Sequence, residues 1–83
     1  MPNVTVLAPQ GEDKENVTAA TIADKRWGQN GADWGTAQPV AAGNRTLTIY
    51  TTTDDPRNEQ IDVSNDVTVT ITVNDDVIQI QLS

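Results

Sequence analysis

Reactive chemistry in this chain has few places to start. Two Asp-Asp pairs, Asp54-Asp55 and Asp75-Asp76, set carboxylates side by side, and paired carboxylates are what general acid–base or glycosidic chemistry requires. Both pairs fall in segments that read as turns, where Asp serves local hydrogen bonding. The chain holds no His and no Cys. A Ser or Thr hydroxyl therefore has no imidazole to activate it, and Cys/His zinc sites are excluded. Calcium needs only oxygen ligands, which Asp62, Asn65, Asp66 and the Asp pairs could supply if their loops converged. No EF-hand spacing is present, and the Gly-rich stretch GQNGADWG lacks the Lys-Ser/Thr ending of a phosphate loop. The expectation is a protein that is not an enzyme, with no cofactor and no metal.

The second group of residues suited to a function is aromatic and basic. Trp27 and Trp34 are each followed by Gly, in the spacing W-G-x5-W-G, and Lys25-Arg26 precede the first of them. Three roles are open to the pair: plugs for a core without Phe, anchors at a protein–protein contact, or a platform for a sugar ring. Lys25, Arg26, Trp27 and Trp34 are the candidate partner interface. Val4 and Val6 join them, on a short N-terminal segment that could add a strand to a neighbour's sheet.

The elements that must position these groups read as strands. Asn3 to Leu7 (NVTVL) is a short strand closed by Ala8-Pro9, with residues 1–9 a possible arm. Gln10 to Asn16 is a polar loop. Val17 to Arg26 is ambiguous between helical turn and strand, and its Val, Thr and Ile content favours a strand. Residues 27–43 carry four of the five Gly and both Trp, show no alternation, and read as a long structured loop. Asn44 to Thr52 is a strand with Leu47 and Ile49 inward and Tyr50 outward. Residues 54–58 read as a turn, and Ile61 to Val63 as a short strand.

Residues 67–73 and 77–82 give the clearest pattern. Val67, Val69, Ile71 and Val73 alternate with Thr, and Ile78, Ile80 and Leu82 alternate with Gln. A tight hairpin with Asp75-Asp76 as its loop pairs Val73 with Ile78, Ile71 with Ile80 and Val69 with Leu82. Thr72 and Thr70 then face Gln79 and Gln81. A one-residue slip would set apolar against polar throughout. Five such strands predict a single all-β domain over 1–83, a small antiparallel sandwich or partly open barrel.

Composition bounds the role of that domain. A chain of 83 residues buries only about 60% of its unfolded surface and is marginal alone. Leu, Ile and Val number eighteen, and eight of the other apolar residues are Ala. Disulfides being excluded, oligomerisation or docking on a larger body is the remaining source of stability. The net charge of −7 argues against nucleic acid and anionic membrane surfaces as partners. The first residues carry no secretory signal, and no stretch has the length of a membrane span. Met1 reads as the start of a gene product.

A short, Cys-free, acidic chain rich in Thr, Asn and Val resembles the small phage virion accessory proteins, the capsid decoration and cement proteins. The resemblance is one of general character over the whole chain and carries no residue-level match. It implies a structural protein located in the virion, or in the host cytoplasm before assembly. The implied partners are itself, as a trimer by preference, and a larger protein shell. The competing expectation is a carbohydrate- or ligand-binding β-module using Trp27 and Trp34.

Overall fold

Strand-forming sequence fills most of the chain, and in the computed structural model it is resolved into eight strands among the described residues. The structure describes residues 1–52 and 55–83. The strands are β1 (Asn3–Val6), β2 (Val17–Ile22), β3 (Lys25–Gly28), β4 (Ala37–Pro39), β5 (Gly43–Thr51), β6 (Arg57–Val63), β7 (Val67–Asn74) and β8 (Val77–Leu82). A single 3-10 turn at Lys14–Asn16 is the one helical element among the described residues. None of the described helical structure is long and apolar enough to cross a membrane.

The strands form two four-stranded sheets, in the orders β4-β1-β7-β8 and β3-β2-β5-β6. The sheets are not closed into a barrel, so the fold is an all-β sandwich. Alternation along each strand sends one set of side chains between the sheets. Val4 and Val6, Val69, Ile71 and Val73 come from the first sheet, and Ala20, Ile22, Trp27, Leu47, Ile49, Ile61 and Val63 from the second. Thr occupies the alternate positions on β5 and β7, where a β-branched polar side chain suits a half-exposed strand.

The C-terminal hairpin has the register expected from its alternation. Val69 faces Leu82, Ile71 faces Ile80, Val73 faces Ile78, and Thr70 and Thr72 face Gln81 and Gln79. Asp75 and Asp76 form the two-residue loop at φ 51° and 61°, the left-handed pair of a type I′ turn. Its tip is tied down by the segment before β2. The Asp76 N–H donates to Asp13 Oδ2 at 3.1 Å, Asn16 Nδ2 donates to Asp76 Oδ1 at 3.0 Å, and the Glu12 N–H donates to Asn74 Oδ1 at 2.9 Å.

Four expectations need correction. Residues 1–9 are not a free arm: β1 is paired on both sides within its own chain, antiparallel to β4 and parallel to β7. Backbone bonds from Leu7, Gln10 and Asp13 to Val69, Ile71 and Val73 continue that pairing along β7. The ambiguous segment is strand, but as two strands, β2 and β3, folded at Ala23-Asp24 with Ala23 at φ 53°. The long loop over 27–43 is interrupted at both ends by β3 and β4, so its irregular middle is only 29–36. Arg57 and Asn58 belong to β6, which runs well beyond Ile61–Val63, because β5 offers pairing partners as far as Ile49. Of the turn expected over residues 54–58, Asp54 lies outside the described residues.

Candidate functional site

The two sheets lie face to face, and each long side of the sandwich is bounded by one edge strand from each. On one side β3 lies beside β4. Gln38 Nε2 donates to the Arg26 carbonyl at 3.0 Å, joining them. On the other side β6 lies beside β8, joined where Arg57 Nη1 donates to the Ile78 carbonyl at 2.8 Å.

The β3/β4 side holds the residues that the sequence singled out as an interface. Trp27 is 0% exposed and fills the space between the sheets, its Nε1 donating to the Thr36 carbonyl at 2.7 Å. That bond satisfies the one polar atom of a buried indole. The segment 29–36 folds back over β3, with Ala32 N–H bonded to the Arg26 carbonyl and Gly28 N–H to the Ala32 carbonyl. It brings Trp34, half-buried, across Gly28 and against the core. Gly28 is at φ +89°, and a Cβ there would stand 2.6 Å from the Trp34 ring and 2.7 Å from the Thr18 carbonyl oxygen. Only Gly permits this approach. At Gly31 a Cβ would stand 2.6 Å from the Arg26 carbonyl oxygen, so the fold-back also depends on a missing side chain.

These placements correct the expected interface. Val4 and Val6 are 0% exposed, as is Trp27, so none of the three is available to a partner of the folded chain. Each sits on a strand whose inward register is fixed by pairing on the neighbouring strand. A two-indole sugar platform is not formed, since Trp27 has no open face. Lys25 and Arg26 remain partly exposed. The Arg26 guanidinium lies 5.0 Å from the centroid of the Tyr50 ring, and its Nε donates to the Gln29 carbonyl at 2.7 Å. It is occupied within its own sheet and loop.

The β6/β8 side is different. A groove of about 500 Å³ lies there, lined by Arg57 and Glu59 and by residues of β7 and β8. Arg57 and Glu59 are 3.6 Å apart, so the groove brings one cation and one anion together. Ile78 and Ile80 reach inward from β8 but are only half covered, while Val77 and Leu82 are 56% and 41% exposed. The outer edge of β8 is unpaired in its sheet.

Edge strands are normally guarded by charge, Pro, shortness or a covering segment. β3 is short, carries Lys25 and Arg26, and is covered by residues 29–36. β4 has three residues and ends in Pro39. β6 carries Arg57, Glu59 and Asp62. β8, with the sequence VIQIQL, carries no charge or Pro and, among the described residues, no covering segment; only the Arg57 guanidinium reaches its edge, at Ile78. Sequence reasoning used this strand only as half of a hairpin. The signal that it was also an edge was its lack of charge, which counts only once its outer neighbour is known to be missing.

Of the carboxylates considered for catalysis or calcium, Asp54 lies outside the described residues, and Asp62 and Asp66 line one depression with Asn65. Asp75 and Asp76 lie at the hairpin tip, and Asp66 accepts the Asn3 N–H at 2.8 Å. Among the described residues no three or more Asp or Glu side chains gather where they could hold a metal ion. Two shallow depressions share Ser64, Asn65 and Asp66 at the β6–β7 turn and are wide open to solvent.

Compared with known proteins, the chain matches no family model, no curated protein and no solved structure.

Proposed function

We propose that this protein is a non-enzymatic structural component that decorates or cements a larger assembly, a viral capsid foremost, by self-association and surface burial. The observation that carries the reading is the contrast between a filled apolar interior and one strand edge whose outward backbone groups are largely unpaired. Inside the sandwich, no buried side-chain nitrogen or oxygen among the described residues lacks a partner. On the β6/β8 side, exposed apolar side chains and unpaired backbone groups lie together. A strand edge of this kind is where one protein docks on another by main-chain hydrogen bonding.

The marginal size of the chain supports the same reading, because a domain of 83 residues gains most from a contact that covers such an edge. The acidity supports it as well: net charge −7 keeps free copies soluble until they meet a surface. The particle is the relevant partner, with virion localisation following from it.

The test is fractionation of a culture that produces the chain. Particles purified on a density gradient should contain it in many copies by quantitative mass spectrometry, and antibody against it should label their surface. Recovery of the chain only from the soluble fraction, with none in the particles, overturns the reading.

A further inference from the structure

Backbone pairing at the end of the chain fixes which way every peptide group of β8 points. Thr68 and Ser83 exchange both of their backbone hydrogen bonds, at 2.9 and 3.0 Å. In an antiparallel ladder such pairs alternate with pairs whose N–H and C=O groups point away from each other. Counting back in steps of two, Gln81, Gln79 and Val77 direct their peptide groups at β7. Ile78, Ile80 and Leu82 direct theirs outward, over the open edge. The Arg57 contact agrees with this parity, since it is the Ile78 carbonyl that the guanidinium reaches. That carbonyl keeps a second lone pair. Among the described residues nothing takes the outward groups of Ile80 and Leu82, nor the Ile78 N–H.

We propose that β8 is a self-recognition edge, at which two copies pair β8 antiparallel to β8 about a two-fold axis through Ile80. The inference rests on the assembly reading and specifies its contact. In this register Ile80 faces Ile80 of the second copy, Ile78 faces Leu82, and Gln79 faces Gln81. All the outward peptide groups of 78, 80 and 82 are then matched. Apolar side chains meet apolar ones on the inner face, and Gln meets Gln on the outer. The two four-stranded sheets become one eight-stranded sheet, and Ile78 and Ile80 lose the exposure they have at an edge.

Three observations favour a second copy as the occupant. The strand is self-complementary in the one register that uses every outward group. Among the four edge strands it alone has no charge or Pro of its own, no extreme shortness and, among the described residues, no covering segment, only the Arg57 guanidinium at Ile78. The groove beside it is lined by one cation, Arg57, and one anion, Glu59, so two copies of a chain of net charge −7 meet there at a neutral patch. The contact is two-fold, in place of the trimer suggested by the resemblance. A six-residue edge is small beside the roughly 800 Å² per partner of a standard interface, so the pairing is reversible and depends on concentration.

Two double variants of the full chain test the register, because Gln79 and Gln81 face solvent and oppose neutral Thr72 and Thr70 within the hairpin. Q79K with Q81K sets like charges opposite each other across the axis. Q79K with Q81E sets opposite charges there. Sedimentation equilibrium should show a wild-type monomer–dimer equilibrium. The first variant should weaken it by about tenfold or more, although it adds positive charge to an acidic chain. The second should dimerise at least as well as the wild type. In the wild type, amide exchange at Ile80 should slow with rising concentration while exchange at Thr72, which is paired inside the hairpin, does not change.

A wild-type chain that stays monomeric at millimolar concentration overturns the inference, as does equal loss of association in both variants. An oligomer indifferent to both variants also overturns it but leaves the assembly reading standing, and that reading falls only if particles lack the protein.

Discussion

On the β3/β4 side, the gap between the two sheets is filled by an indole and covered by a folded-back segment. On the β6/β8 side, the same gap is spanned by one guanidinium and otherwise left as a groove. Both sides begin from the same problem, since a two-sheet sandwich exposes the margins of its core wherever the edge strands run out. The first side solves it within the chain. Trp27 enters the core, Trp34 closes over Gly28, and residues 29–36 occupy the edge of β3. Among the described residues the second side has aliphatic side chains and two Gln on β8, and Arg57 as its bridge. Both Trp side chains of the chain lie on one margin. On the other margin Ile78, Ile80 and Leu82 stay partly uncovered, in line with the reading that the protein works by being covered.

The largest test of that contrast is Trp27→Ala. Truncating a fully buried indole in a domain of this size should cost about 3–5 kcal/mol, read as loss of most or all of the urea unfolding transition. A variant close to wild-type stability would remove the basis for calling the β3/β4 side the closed one. Gly28→Ala comes next. The forced left-handed φ and the contact with the Thr18 carbonyl should cost about 2 kcal/mol and lower Tm by roughly 10 °C. An unchanged Tm would mean that Trp34 can leave Gly28 at little cost.

Trp34→Ala should be milder, about 1–2 kcal/mol by denaturation, because the ring is only partly buried. It also leaves Trp27 as the one remaining indole, whose emission should stay blue-shifted until the chain unfolds. Red-shifted emission from the folded variant would place Trp27 in water and break the comparison. The smallest effect belongs to Arg57→Ala on the open side. Its hydrogen bond and its ion pair with Glu59 are solvent-exposed, so stability should change by less than about 0.5 kcal/mol. A loss as large as that for Trp34→Ala would make Arg57 a structural closure of the second margin and equalise the two sides.

Much of the local structure was legible because alternation with period two is a local signal. The hairpin register followed from seven apolar residues that had to share one face, and Leu47 and Ile49 are as buried as that pattern required. The segments that misled were those whose pairing partner lies far along the chain. Ala37–Pro39 contains no alternation and becomes a strand only because β1 lies beside it. Asn3–Val6 looked like an arm because nothing nearby in sequence pairs with it. Its parallel neighbour, β7, begins some sixty residues later, at Val67. The Gly-Trp motif stood out correctly as unusual, but composition could not say which way an indole faces. The structure divides the pair, with Trp27 in the core and Trp34 as its partial cover.

What the sequence determined by itself was the class of protein: all-β, acidic, without Cys or His, and carrying a hairpin in one register. Those features depend on residue chemistry and on neighbours a few positions apart. Which strands became edges, and hence which apolar residues remain half covered, followed from long-range pairing alone. VIQIQL would be an ordinary interior strand if another strand lay outside it. It is an open edge because the sheet order ends there, and sheet order is set by contacts between residues distant in sequence, which no local pattern records.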